Sequence, residues 1–300
     1  DLDDHATDVT GTTFGINAQQ TSASTQTVTV TLSGAVSSTA AGSIGVAVDG
    51  NSTKSVQITG SGSVSGFNAS ISATQAGTGD VLINYSGTAT ATKNAGAAAA
   101  VAATATSGTI TINLDGSTSI DGSTATYGVS AKSTSGSVFI SDTGNALKAA
   151  ITGVVIKNSG ANATVVTGGT IDATNLGNTI FVENKGGAIT VDATAGAQTS
   201  GLSGIYADNT GGVGGAVTIK TADSTISGGA GNYNIDARGK GGTVSIDTTA
   251  GSLVSNNSGS ISATVTDGSS VVVKTAAVSA GGGAALVHLL GERRDEQDAG

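Results

Sequence analysis

The sequence predicts an all-β chain wound as a parallel β-helix of about ten coils of ~27 residues. Three observations carry that expectation. Residues 204–247 state one phrase twice: Gly204-Ile205-Tyr206-Ala207, a Gly-rich turn and Ala216-Val217-Thr218-Ile219-Lys220, then Asn234-Ile235-Asp236-Ala237, a second such turn and Thr243-Val244-Ser245-Ile246-Asp247. Apolar residues alternate with polar ones inside each run, the period of a strand with one buried face. The second strand of the phrase then recurs along the chain. Its first apolar residue falls at Val28, Val56, Val81, Ile110, Val138, Val165, Ile189, Val217, Val244 and Val271, nine steps averaging 27 residues. Composition agrees: 47 Gly and no Pro, with 37% hydrophobic residues whose registered anchor positions are mostly Val and Ile. Collagen would need Gly at every third position and abundant Pro, and a disordered chain would lack the registered apolar positions.

Residues 1–14 carry Asp1, Asp3, Asp4 and Asp8 and little apolar character, and read as an acidic N-terminal cap, since charge blunts a strand edge. His5 lies among those acids, but a solvated terminus is expected there and no metal. Residues 15–278 read as the solenoid. Two residues after each anchor the chain is apolar again, from Val30 and Ile58 to Val273, with Thr167 the exception. The Val165 coil is the weak one, because Thr164-Val165-Val166-Thr167 also reads one residue out of register. The first strand of each coil is expected around Ile16, Val46, Phe67, Val101, Val129, Val154, Ile180, Ile205, Ile235 and Ile261. A third strand is expected around Val36, Val64, Ile120, Ile171, Ile226, Val254 and Val278.

Two stretches test the pattern. The alanine run 96–103 favours helix in isolation, yet strand neighbours on both sides should override that weak preference. Residues 141–152 are a candidate for a one-turn helix or a bulge. After Val278 the text changes. Gly281-Gly282-Gly283 leads into residues with helical spacing (Ala285, Leu286, Leu289, Leu290), so 279–300 reads as a Gly linker and a short helical or disordered tail. His288 beside these leucines reads as packing.

Stacking the coils predicts columns about 4.8 Å apart. Asp192, Lys220, Asp247 and Lys274 follow the second strand in four consecutive coils, an alternating-charge column preceded by Thr31, Thr59, Asn84, Asn113, Ser141 and Thr167. Opposite charges across neighbouring strands stabilise and like charges do the reverse. A second column, Lys132, Lys157, Glu183, Asp208 and Arg238, does not alternate. Beside it Asn158, Asn184 and Asn209, then Gly239, read as an Asn ladder at a turn. Asn and Gly tolerate left-handed backbone, and stacked amides can bond along the column.

The chemistry available is sparse. With two His and no Cys, catalytic triads and transition-metal sites have little raw material. Carboxylates fall mostly one per coil, with no Trp. Tyr206 and Tyr233 are the nearest aromatic pair in the repeat, and no paired acids are aligned for glycosidase chemistry. The stretch GGAGNYNID (228–236) only echoes a calcium-binding nonapeptide. No enzymatic activity, cofactor, catalytic residue or metal site is therefore expected. A net charge of −9 argues against nucleic acid, and no stretch approaches the ~20 apolar residues of a membrane-spanning helix. Without cysteines the redox compartment is not legible. Outward threonines (Thr27/Thr29, Thr109/Thr111, Thr243/Ser245) suggest an ice-binding array, but Gln57, Leu82, Phe139 and Val272 break it.

The phrases GIYADNTGGVGGAVTIKT, YNIDARGKGGTVSID and TIFVENKGGAITVDA resemble the repeats of bacterial autotransporter passenger domains. The likeness covers 153–275 and, more loosely, 15–140. It implies a right-handed parallel β-helix exported through the Gram-negative outer membrane, commonly an adhesin or surface structural protein. That family also carries a signal peptide and a translocating β-barrel, which these 300 residues do not show. The expectation is a secreted or surface-exposed, non-catalytic scaffold or stalk at the bacterial cell surface. Its partners would be a host or neighbouring-cell surface or glycans. Alternatives are a self-assembling filament or surface-layer subunit joined end to end, an ice-binding protein and a polysaccharide-active β-helix enzyme.

Overall fold

The computed structural model describes the chain apart from residues 1, 4–7, 93–97, 116–118, 144–145, 174–176, 202, 227–232, 257–258, 268–269, 281–286 and 292–300. Asp4 and His5 of the acidic segment, Ala285 and Leu286, and most of the nonapeptide echo lie outside the described residues. What is described is a β-solenoid of about nine turns built from stacked parallel strands.

Each coil contributes one strand to each of three ladders. The long ladder holds eleven strands, beginning Phe14–Gln20, Ile44–Gly50, Ala69–Gln75 and Ala99–Ala105. It continues through Tyr127–Ser133, Thr152–Asn158, Asn178–Asn184, Ser203–Asp208, Tyr233–Lys240 and Gly259–Thr266 to Val287–Gly291. The second ladder runs through five-residue strands such as Val56–Gly60, Ile110–Leu114 and Val217–Thr221. The third uses short strands such as Val36–Ser38, Leu147–Ala149 and Ile171–Ala173. In Val244–Ser255 and Val271–Ala280 the second and third strands run on as one, with a register shift between Thr248 and Ser252.

Alternation explains the winding. In Val154-Val155-Ile156 and Ile180-Phe181-Val182 the first and third side chains are fully buried, while the middle one sits on the outer side of the strand. Stacked inward columns such as Ile16–Val46–Ile71–Val101–Val129–Val154–Ile180–Ile205–Ile235–Ile261 form one core along the axis. Each fully buried Val, Ile or Leu stabilises by about 1.5–3 kcal/mol relative to exposure. Glycine-rich corners let the backbone come close between coils: a Cβ on Gly108 or Gly136 would lie 1.9 or 2.0 Å from the carbonyl oxygen of Gly79 or Gly108, one coil earlier.

The structure adjusts several sequence expectations. The anchor of the weak coil is Ala163, paired with Val138 and Ile189, so Val165 is the second inward residue and the slip is two residues. Val166, not Thr167, consequently stands before Asp192 in the charge column. Ile71, not Phe67, is the inward first-strand residue of its coil, because it pairs with Val46 and Val101. In the third ladder Ser224 and Leu253 take the positions expected for Ile226 and Val254. Within the alanine run, residues 99–103 are strand, paired on both sides. Residues Leu147–Ala149 form a third-ladder rung rather than a helical turn. Leu2–Asp3 and Val9–Gly11 pair with the first full coil, and Val287–Gly291 pairs with Ile261–Val265 as an eleventh long-ladder strand where helical spacing is read.

Candidate functional site

The outward face of the long ladder over residues 127–238 gathers the aromatic and charged side chains that the rest of the surface keeps apart. Two adjacent columns form it. One runs Val155, Phe181, Tyr206, Asp236; the other runs Lys132, Lys157, Glu183, Asp208, Arg238. Phe181 and Tyr206 follow inward Ile180 and Ile205 by one position, so the ladder register places them directly above one another. Their ring centroids are 4.9 Å apart and the planes differ by 10°. The Lys157 ammonium lies 5.9 Å from the Phe181 centroid and the Arg238 guanidinium 5.1 Å from that of Tyr206. A cation therefore closes each end of the aromatic stack from the neighbouring column, the diagonal contact that long side chains reach across strands.

Arg238 also donates to Asp236, its Nη2 2.7 Å and its Nε 3.3 Å from the two carboxylate oxygens. The Tyr206 hydroxyl donates to Asp208 Oδ2 at 2.9 Å. Burial first, then the hydrogen bond to Asp208, pushes the Tyr206 phenol up to about 12. The second oxygen of Asp208 accepts the Thr210 N–H and hydroxyl at 2.8 and 2.6 Å. The same corner device recurs at Asp192 with Thr194 and at Asp247 with Thr249. Asp followed two residues later by Thr closes these three corners, whereas Asp223, followed by Thr225, accepts from Ser252 one coil on. The hydrogen bonds from Thr249, and secondarily Lys274 and Lys220, hold the Asp247 carboxyl below the usual range.

Two grooves open on this face and share Lys157. One, of about 220 Å³, is lined by Tyr127, Ile151, Thr152, Val155, Lys157 and Phe181. The other, of about 190 Å³, is lined by Lys132, Lys157, Asn158, Ser159, Glu183 and Lys185. A larger trough of about 430 Å³ lies on the second ladder beside Asn84 and Asn113, whose side chains hydrogen-bond at 2.8 Å. Tyr85 borders it, its ring buried and its hydroxyl on the Gly62 and Thr88 carbonyls. Burial raises that phenol well above its ordinary value.

The predicted columns are present. Asp192, Lys220, Asp247 and Lys274 pair in sequence. A further alternating column, Asp121, Lys148 and Asp172, sits on the third ladder. The Asn ladder is real but works differently from the expectation. Asn158, Asn184 and Asn209 are 2%, 0% and 0% exposed, and they point inward without left-handed backbone, which among non-glycine residues only Asp267 shows in the described chain. Their amides bond to corner backbone instead of to each other. Asn184 Nδ2 donates to Ala161 O and Ala188 O at 2.9 and 3.1 Å, and its Oδ1 accepts from Gly186 N at 3.4 Å.

The sequence offers no site residue, and the aromatic pair it suggests, Tyr206 with Tyr233, is not the one the coils bring together: the register sets Tyr206 between Phe181 and Asp236 and places Tyr233 beside Gly259. The repeated Ile-aromatic dipeptide at one register position is the signal that finds the stack. Comparison with known proteins returns no matching family model, no matching curated protein and no matching solved structure. Fold and surface together define the class: a parallel β-solenoid with a laddered aromatic and charged face.

Proposed function

We propose that the chain is a non-catalytic structural or adhesive β-solenoid exposed at a bacterial cell surface, a passenger-type stalk of the autotransporter kind. The observation that supports it most is the use to which the outward carboxylates are put. Asp192, Asp208 and Asp247 each bind the residue two positions on at their own corner, which leaves them committed to holding the coil. The near-uniform coils keep the sides of the rod long and flat, a form suited to reach and contact.

Electron microscopy of the purified protein across a concentration series tests this. Single rods about 50 Å long, from ten rungs at ~4.8 Å, are expected at every concentration. Filaments that lengthen with concentration would replace the stalk with an end-to-end assembly.

A further inference from the structure

The charge columns elsewhere alternate: Asp192–Lys220–Asp247–Lys274 on the second ladder and Asp121–Lys148–Asp172 on the third. The long ladder breaks that rule, because Lys132 pairs directly with Lys157. Like charges on adjacent rungs repel, and both lysines are exposed. Lys185, also exposed, enters the same 190 Å³ groove from the corner. Three cations against the single carboxylate of Glu183 make this groove positive in a chain whose net charge is −9.

The adjoining 220 Å³ groove has a different character. Val155, 4% exposed, lies buried beneath it, Ile151 is 40% exposed, and Phe181 and Tyr127 stand at its sides. The faces of Phe181 are turned to Tyr206 and Lys157, so a ligand meets Ile151 and the ring edge rather than an open aromatic plate. Lys157 belongs to both grooves. The pair therefore suits a ligand with a compact, partly apolar body and an anionic substituent on one side.

We propose that the two grooves form one binding site for a carboxylated saccharide, its ring lying on Ile151 and the edge of Phe181 and its carboxylate held among Lys132, Lys157 and Lys185. The positive stretch is short, because Glu183 and Asp208 occupy the next two rungs. That length matches one acidic sugar unit and opposes an extended polyphosphate such as nucleic acid, whose affinity grows with each phosphate neutralised. The site deepens the adhesive reading and rests on it for its biological setting.

The test is calorimetric titration of the full chain with a tetrasaccharide of glucuronic acid, a neutral glucose tetrasaccharide and sodium sulfate. The uronate should bind at least about tenfold more tightly than the neutral sugar, and added salt should weaken it. Lys157→Gln should lose about tenfold and Lys132→Gln a smaller factor, while Glu183→Gln should gain affinity by removing a repelling charge. Lys274→Gln, on another ladder, should change nothing. All four positions lie on the outside of the coil, so unchanged melting temperatures will confirm intact folding. Equal binding of neutral and acidic sugars, or indifference to Lys157→Gln, would overturn the proposal. Sulfate binding as tight as the uronate would reduce the site to a simple anion site and overturn the saccharide assignment. Rods that ignore uronate would remove this site and leave the stalk; filaments that bind it would do the reverse.

Discussion

The corner that ends each long-ladder strand is stabilised in two different ways along the rod. Near the N-terminal end Gln20 and Gln75 point inward two coils apart, with Gly50 between them. Gln75 Oε1 accepts the N–H groups of Ser52 and Gly77 at 3.2 and 2.9 Å, and its Nε2 reaches Lys54 O at 2.6 Å and Gln20 Oε1 at 3.3 Å. Ser52 Oγ donates to Gln20 Oε1 at 2.7 Å, which ties three coils into one cluster. Further along, Asn158, Asn184 and Asn209 occupy the same column in consecutive coils and bond to nearby corner carbonyls. One extra methylene decides the arrangement. Glutamine spans a coil with a glycine in the gap, whereas asparagine bonds its own corner and reaches at most an adjacent one, as Asn184 does at Ala161 O and Asn209 does at Lys240 N. The first corner should behave as a single cooperative unit over three coils, the second as a series coupled only between adjacent coils, as where Asn158 and Asn184 share Ala161 O.

The largest effect is expected at Asn184→Val, which removes the three hydrogen bonds its amide makes to Ala161 O, Ala188 O and Gly186 N and sets an apolar branch against the corner backbone. A loss of about 3 kcal/mol is expected from three bonds at about 1 kcal/mol each, read as a lowered midpoint in denaturant unfolding. An unchanged midpoint would remove the structural role given to the ladder. Gln75→Ala should cost somewhat less, about 2 kcal/mol. Its coupling to Gln20→Ala should exceed ~0.5 kcal/mol, while Asn158→Ala and Asn209→Ala should add within about that margin. Similar coupling in both pairs would erase the distinction between the two corners.

Gly50→Ala is next, at about 1–2 kcal/mol for overpacking. The new Cβ would sit 2.4 Å from Val56 Cγ1 and 2.7 Å from Gln75 Nε2. Adding Gln75→Ala should recover part of that cost, because one of the two clashes then disappears. The smallest effect concerns acid. Amide corners do not titrate, so part of the acid sensitivity should come from outward carboxylates in both halves. Asp121 and Asp247 are held below the ordinary carboxyl value, chiefly by the hydrogen bonds from Ser123 and Thr249. A depressed folded value contributes stability above the unfolded pKa of about 4, and that part is lost as pH falls through the folded value. The double variant Asp121→Asn, Asp247→Asn should show a shallower fall in melting temperature between pH 5 and pH 2 than the parent chain, taken as approximate bounds of that window.

Much of this architecture is legible in the sequence. The Val/Ile spacing carries the ladders, and the Asp192–Lys220–Asp247–Lys274 column falls out of simple alignment. The failures have physical causes. Ala163 is small enough to be overlooked as an anchor beside Val165, yet the register, not side-chain size, decides which residue faces in. Ser224 takes an inward position where an aliphatic residue is expected, because its carbonyl and hydroxyl meet the buried Asn234 amide at 3.0 and 3.4 Å. The Leu-rich stretch at 287–291 is read as helical from spacing alone, but an unpaired long-ladder edge at Ile261–Val265 offers it backbone partners. The grooves around Lys157 were hidden because Lys132, Lys157 and Lys185 become neighbours only once the coils are stacked.

Apart from the Gln20–Gln75 bond, which skips one coil, the coils bond to those directly above and below them, and that has a mechanical meaning. A coil of ~27 residues adds about 4.8 Å to the rod, yet pulled straight at ~3.3 Å per residue it would span roughly 90 Å. Tension applied along the rod would therefore be relieved in discrete, nearly equal lengthenings as coils peel from an end. The Gln20–Ser52–Gln75 cluster, which clamps three coils together, would resist as one block and set the largest single step in such a force trace.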